Sequence, residues 1–235
     1  RRLTGVLCDI HFAPTELSRR CLLREGVSDE DIYVTGNTVI DALLSVAAMD
    51  HEFDDERVRA AAGAERMILM TAHRRENWGE PMRDICRAVK EILSLHPEVS
   101  VVFPVHKNPI VRDVVFPELG GMDRVVLTEP PDYVPFVHLM KASHLILTDS
   151  GGVQEEAPSL GKPVLVLRKT TERPEGVEAG SAKLVGTDKD TIVREAHALL
   201  SDRAAYDAMA RVNNPYGDGR AAERIWEAIR ARFMS

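Results

Sequence analysis

The sequence predicts an α/β protein with a Rossmann-like, doubly wound parallel sheet, and three observations predict it. Short, nearly all-apolar runs recur at residues 67–71, 99–105, 124–128, 145–148 and 163–168. Runs of that kind mark strands buried on both faces. Helically periodic segments stand between them, so strand and helix alternate as a parallel sheet covered on both sides requires. The run ending at Thr148 is followed at once by Ser150-Gly151-Gly152, where a strand would turn into a helix over 153–160.

Taken in order, the chain opens with a strand-like segment at 3–10, and its start at Arg1-Arg2 without a methionine suggests a beginning inside a domain. HFAPTE at 11–16 reads as a loop, with Pro14 and Thr15 opening a helix to Leu23 that Glu25-Gly26 closes. Residues 32–35 form a short strand, Gly36-Asn37 a turn and 39–46 an amphipathic helix. The acid- and alanine-rich stretch 49–66 reads as a surface helix. Residues 81–95 are helical, with Met82, Ile85, Cys86, Val89, Ile92 and Leu93 on one face. Further helices are expected at 109–116 and 133–142, and a last strand at 183–185. Two helices at 188–200 and 202–212 precede the break at NNPYGDG, 213–219, and a final helix over 221–233 carries Ile225, Trp226, Ile229 and Phe233 along one stripe. No internal repeat or low-complexity segment is visible.

Composition narrows the function. A chain of 235 residues, 44% hydrophobic and 29% charged, has ordinary globular composition. No apolar run is long enough to span a bilayer and no signal peptide is visible, so a cytoplasmic location is expected. The three cysteines Cys8, Cys21 and Cys86 lack C-x-x-C spacing and point to neither disulfides nor zinc. A formal charge of −7 argues against a nucleic-acid partner. An anionic ligand then needs local positive charge, which His73-Arg74-Arg75 and Arg168-Lys169 with Arg173 offer.

The glycine turn suits such an anion. Consecutive glycines let backbone approach a ligand, and the N–H groups of a new helix face what lies above the turn. A tight strand-to-helix turn also needs glycine on steric grounds alone. Glu156, four residues beyond Gly152, stands about 5.4 Å above it on one helix face, placed to accept the hydroxyls of a ribose. Glu155, rotated by about 100°, points elsewhere, and the acidic pair also fits a solvated first turn. In doubly wound sheets ligands lie at the carboxyl ends of the strands. The loops carrying His73, His106 and 129–136 therefore converge on the edge that holds the turn. His73 and His106 leave equivalent ends of successive strands; a lone loop histidine is otherwise an ordinary surface residue. Phe136 suits a helix core or, functionally, stacking on a base. Arg173 suits surface pairing with Glu172 or Glu175, or a forked contact to a diphosphate.

HRRENWG, FPVHKNP, DYVPFVHLM, TDSGGVQEEAPSLGKPVLVLRKTTERPEG and NPYGDG, with HFAPTE and GNTVIDALL near the start, closely resemble the bacterial non-hydrolysing UDP-N-acetylglucosamine 2-epimerases, which have the two-domain GT-B fold. The resemblance covers essentially the whole chain. It implies an isomerase that interconverts UDP-N-acetylglucosamine and UDP-N-acetylmannosamine by eliminating UDP to 2-acetamidoglucal and adding it back, for cell-envelope polysaccharides. It also implies that Ser150, Gly151 and Gly152 hold the diphosphate, Glu156 the ribose, Phe136 the uracil and Pro131 a base contact through its backbone. Arg173 and His73 then lie at the diphosphate, His73 assisting the leaving group, while Arg74 and His106 contact a second, allosteric substrate molecule. Neither metal nor redox cofactor is implied, and a homodimer is.

The resemblance further implies the C-terminal half of the GT-B fold. The chain would divide into 1–36 as the end of an N-terminal Rossmann-like domain, 37–218 as the UDP-binding domain and 219–235 as a helix crossing back. Because the family's proton-transferring carboxylates lie in the N-terminal domain, this chain is expected to bind UDP without epimerising. A hydrolysing epimerase, a GT-B glycosyltransferase or a non-catalytic UDP-sugar-binding module are the competing readings; an acceptor-dependent product separates the transferase, and binding without turnover in an intact chain the module.

Overall fold

The Ser150-Gly151-Gly152 turn lies at the carboxyl end of a buried strand, in the larger of two compact units. In the computed structural model, which describes residues 2–234, that unit is Met49–Asn213; the other joins the residues up to Ala48 with those from Asn214 on. Arg1 and Ser235 lie outside the described residues. The two units divide after residues 48 and 213, and residues 37–48 group with the chain's final helix.

The smaller unit holds α1 (Arg2–Gly5), β1 (His11–Ala13), α2 (Glu16–Arg24), β2 (Ile32–Val34), α3 (Thr38–Ala47) and the final helix Ala221–Phe233. The strand expected at 3–10 is instead a helical turn and a loop, and the strand falls on His11–Ala13, where a loop was expected. A strand needs a neighbour: His11–Ala13 pairs in parallel with Ile32–Val34, whereas Leu3, Val6 and Leu7 have none and stand exposed. Thr15 caps α2 by accepting the Ser18 N–H, and Asn37 caps α3 by accepting that of Val39. GNTVIDALL and NPYGDG prove to be one contact. The Asn37 N–H donates to the Tyr216 carbonyl at 2.7 Å. Gly36 and Gly217, both at positive φ, approach so closely that a Cβ on Gly36 would stand 3.3 Å from the Gly217 Cα. Asp41 of α3 accepts the N–H groups of Ala221 and Ala222 at 3.1 and 2.9 Å. It caps the final helix from across the unit.

The larger unit begins with α4 (Glu56–Ala62), so the helix expected over 49–66 shrinks to its centre, with Asp55 as its cap. There follow β3 (Arg66–Thr71), α5 (Glu80–Leu95), β4 (Val99–Pro104), α6 (Pro109–Leu119), β5 (Val125–Thr128), α7 (Tyr133–Ala142), β6 (Leu145–Thr148) and α8 (Gly151–Glu156). Then come β7 (Val164–Val166), α9 (Pro174–Ala179), β8 (Ala182–Leu184), α10 (Lys189–Ser201) and α11 (Arg203–Ala210). α8 starts at the glycines and gives way after Glu156 to a 3-10 turn, Ala157–Leu160. Pro158 has no N–H to continue the α pattern. α9 was not foreseen from sequence: its one-and-a-half turns are too short for periodicity, although Pro174 at its start and Gly180 at its end are ordinary boundary residues.

The sheet order is β5-β4-β3-β6-β7-β8, all parallel. This is the expected Rossmann-like doubly wound α/β fold. Ile68 and Met70 of β3 join the main core with Ile85, Val89 and Ile92 of α5 and Ile192 and Ala196 of α10. The alternate residues Met67 and Leu69, also fully buried, face the other side. α4 and α7 are the helices packed against β3, β4 and β5 apart from that core.

From β3 the chain steps outward to β4 and β5, then returns to β6 on the other side of β3 and continues outward to β7 and β8. The order therefore reverses between β3 and β6, where doubly wound sheets open their ligand crevice.

Candidate functional site

The register between β3 and β6 decides which residues meet in that crevice. Thr71 pairs with Thr148, and their hydroxyls lie 2.6 Å apart in a hydrogen bond buried at the sheet's end. The next residues along each strand, Ala72-His73-Arg74 and Asp149-Ser150-Gly151, thus leave the sheet side by side.

Asp149 is fully buried, and its Oδ2 is the hub. It accepts the backbone N–H groups of His73 and Arg74, each at 2.8 Å, and the Asn77 side-chain N–H at 3.0 Å. Its Oδ1 lies 3.0 Å from His73 Nδ1. Burial pushes this carboxyl up, but the hydrogen bonds from His73 and the Arg74 N–H outweigh it and hold Asp149 below the usual aspartate range. Asn77 also donates to the Leu167 carbonyl at 3.1 Å, tying the His73 loop to the end of β7. His106, leaving β4 next to β3, stacks on His73 with ring centroids 5.6 Å apart and planes at 16°.

Two guanidiniums stand over the glycine turn. A Cβ built on Gly151 would lie 3.7 Å from Arg74 Nη2 and 3.9 Å from Arg173 Cζ. Arg173 pairs through Nε with Glu155 and presents Nη2 to the turn. Its Nη1 donates to the Glu172 carbonyl at 3.1 Å. Arg168 was counted among the local positive charges. It is instead buried and neutralised, donating from Nε to Glu76 at 2.7 Å and from Nη1 and Nη2 to Glu172 at 2.6 and 3.0 Å. That ion cluster lowers Glu172 to about 2 and fastens the 72–79 loop to the 168–173 loop. It builds the frame of the site rather than offering charge to it.

Glu156 lies over Gly152, its Oε2 3.7 Å from a Cβ built there, as the helical spacing requires. Both Glu155 and Glu156 are buried, so the solvated-face reading of the pair does not hold. Burial raises the Glu156 carboxyl, the neighbouring Glu155 charge adds to the rise, and a hydrogen bond from the Tyr133 hydroxyl at 3.0 Å opposes it. Tyr133 itself is pushed up to about 12, by burial first and then by the Glu156 charge. The bond places the first turn of α7 beside α8. Phe136, three residues on and half-buried, shares that side of α7. Pro131 lies in the preceding loop, one residue before the Asp132 cap of α7.

The sequence-predicted residues His73, Arg74, His106, Ser150, Gly151, Gly152, Glu156 and Arg173 thus come together. Phe136 stands one helical turn from Tyr133, whose hydroxyl reaches Glu156, and Pro131 lies in the loop before α7. Asp149, Asn77, Gln154 and Tyr133 were missed. Gln154 accepts from the Thr171 hydroxyl at 2.6 Å and donates to the Ser150 carbonyl at 3.0 Å, linking the turn to the 168–173 loop. An acid between a buried strand and a glycine turn was a signal for Asp149. Its partners lie 72 to 76 residues away and were not.

Among the described residues, no helix is long and apolar enough to cross a membrane. Residues 1–230 match the family model described as UDP-N-acetylglucosamine 2-epimerase. The Escherichia coli K12 UDP-N-acetylglucosamine 2-epimerase is 52% identical over 243 residues, an alignment covering 100% of this chain and 64% of that protein. Among solved structures, the S. aureus MnaA-UDP co-structure superimposes with a TM-score of 0.90 at 49% identity, covering 98% of this chain and 62% of that one. The UDP-GlcNAc 2-epimerase from Neisseria meningitidis bound to UDP-GlcNAc does so with a TM-score of 0.87 at 45% identity, covering 99% and 64%. The chain spans less than two thirds of these relatives' length, and the architecture they share is the GT-B one. A family pattern met over nearly every residue, on a sheet whose switch point carries the motif residues, establishes that the chain belongs to the UDP-N-acetylglucosamine 2-epimerase family.

Proposed function

We propose that the Ser150-Gly151-Gly152 turn holds the diphosphate of a UDP-sugar, and that the chain serves the reversible, non-hydrolysing epimerisation at C2 of UDP-N-acetylglucosamine to UDP-N-acetylmannosamine. The observation that carries this reading is the pair of guanidiniums, Arg74 and Arg173, over Gly151 at the switch point of the sheet. In the elimination the C1–O bond breaks and its electron pair leaves with the diphosphate while C2 loses its proton, giving 2-acetamidoglucal. UDP then returns to C1 as a proton reaches C2 on the other face. Negative charge grows on the leaving diphosphate, and cations and N–H groups already fixed around it stabilise that charge without reorganising.

Each residue then has a role. Ser150, Gly151 and Gly152 bring backbone to the phosphates, Glu156 accepts the ribose hydroxyls, Phe136 stacks on the uracil, and the Pro131 backbone touches the base edge. Arg173 faces the diphosphate beside His73, which assists departure and return of the leaving group. His106 contacts a second substrate molecule, and Arg74, reaching both the turn and the histidine side, serves that contact and the diphosphate together. The same reading takes the protein to be a cytoplasmic homodimer feeding envelope polysaccharide.

The acids around the turn are committed elsewhere: Asp149 to His73 and Asn77, Glu155 to Arg173, Glu156 to Tyr133. We therefore expect the 235-residue chain to bind UDP without turning over. Calorimetric titration with UDP, paired with an epimerisation assay on UDP-N-acetylglucosamine, tests this. Binding without turnover supports the assignment. No UDP binding overturns the site, and turnover overturns the division of labour.

A further inference from the structure

We propose that Asp149 is a positioning residue that fixes the tautomer of His73, holding the proton of the neutral ring on Nδ1 and leaving Nε2 as the nitrogen that exchanges protons with a ligand. The inference rests on the reading of His73 as the residue at the diphosphate, and names the group that prepares it.

The donors that surround Asp149 decide which nitrogen carries the proton. Oδ2 of Asp149 already accepts from the N–H groups of His73 and Arg74 at 2.8 Å and from the Asn77 amide at 3.0 Å. All three are obligate donors, so that oxygen can only accept. Among the described residues no placed hydrogen bond reaches Oδ1, and His73 Nδ1 lies 3.0 Å from it. A buried carboxylate oxygen needs a donor, and of the neutral ring's two tautomers only the one with its proton on Nδ1 can supply it there. The imidazole is partly exposed while the carboxylate is not, so the ring reports its free nitrogen outward and its bound nitrogen inward. Rotation of the ring is opposed on one face by the stacked His106. The backbone N–H of His73 donates to the same carboxylate, so main chain and ring are set by one group.

These donors make Asp149→Asn a tautomer switch rather than a simple loss. The isosteric amide must turn its oxygen to the three donors that converge on the Oδ2 position. Its NH2 group then occupies the Oδ1 position and can only donate. His73 Nδ1 is forced to accept, and the neutral ring must carry its proton on Nε2.

The test is 15N-edited nuclear magnetic resonance of the ring nitrogens in the 235-residue chain labelled on histidine, with the His73 signals identified by their absence in a His73→Gln variant. In the unsubstituted protein the neutral form is expected to show Nδ1 protonated, and in Asp149→Asn the protonated nitrogen changes to Nε2. Nε2 protonation in the unsubstituted protein overturns the proposal by itself, without any variant, so poor folding of Asp149→Asn does not protect it. An unchanged tautomer in a folded Asp149→Asn also overturns it. A merely structural Asp149 would alter stability without exchanging the two nitrogens. UDP titration of both proteins separates this from the functional reading: a tautomer exchange in a chain that never binds UDP leaves Asp149's role standing and removes the diphosphate assignment. UDP binding with an unchanged tautomer does the reverse.

Discussion

At the scale of single residues the site sets affinity against stability, and two of its buried carboxylates, Glu156 and Asp149, do so with opposite signs. Glu156 sits above its ordinary value of 4.5, chiefly because of burial. A carboxyl that holds its proton more tightly when folded favours folding below its unfolded value and loses that contribution as pH rises through the folded one. At neutral pH its ionised form therefore costs stability, and Glu156→Gln should raise the thermal midpoint near pH 7, with the gain fading as the pH approaches 4.5. The same variant should weaken UDP by about 10- to 100-fold, the loss of charged hydrogen bonds to hydroxyls, while weakening inorganic diphosphate little. Equal losses for both ligands would contradict the ribose assignment. Asp149 lies below its ordinary 3.8, so its contribution is complete above that value and disappears as pH falls through the lowered one. Gly151 has no need of positive φ, and a methyl there meets only the ends of two arginines. Gly151→Ala should fold normally and lose UDP affinity by tenfold or more on the order of a lost phosphate approach; unchanged affinity in calorimetry would remove the turn from the binding site. His73→Ala, made in a full-length relative, should lower kcat far more than it weakens UDP, because its work falls on charge that develops in the transition state.

Elements depend on caps and crossings that no single element contains. The final helix has no side-chain cap of its own at Arg220, and Asp41 of α3 supplies one through two N–H groups. Asp41→Ala should cost about 0.5–2 kcal/mol of stability, measured as a lower urea midpoint with unchanged slope. Gly217→Ala should cost more, because φ is 140° and the new Cβ would stand 3.4 Å from the Asn37 nitrogen. UDP affinity should be the same in both variants, since Asp41 and Gly217 belong to the unit that lacks the turn. The short α8 fits the same logic. It lasts only from the glycines to Glu156, long enough to place that carboxylate one turn above Gly152 before Pro158 ends the α pattern.

On the scale of the whole molecule the net charge of −7 is unsuited to an anionic ligand, and the site answers locally with Arg74, Arg173 and the N–H groups of the turn. The two tryptophans divide between the two units, Trp78 in the His73 loop and Trp226 on the final helix. Trp78 donates to the His73 carbonyl at 3.3 Å, so UDP should change its fluorescence, Trp226→Phe should keep the change and Trp78→Phe should remove it. UDP at a hundred times its Kd should also stabilise the folded chain by about 2.7 kcal/mol, readable as a shift in the melting transition. The fold class, the alternation of elements, the glycine turn and the Glu156 offset were legible in the residues, because periodicities and short spacings are local and survive in a linear string. Motifs such as SGGVQEEAPSLGKP pointed to the family for the same reason. The strand at His11–Ala13 was not legible, since pairing needs a partner that the string does not mark. Nor was the neutralisation of Arg168 by Glu76 and Glu172, the capture of Arg173 by Glu155, or the hub at Asp149. The hub depends on the β3–β6 register, which brings residues 72 to 76 positions apart within hydrogen-bond reach. Local chemistry decided what the chain can form, and the order of strands in the sheet decided which charges meet.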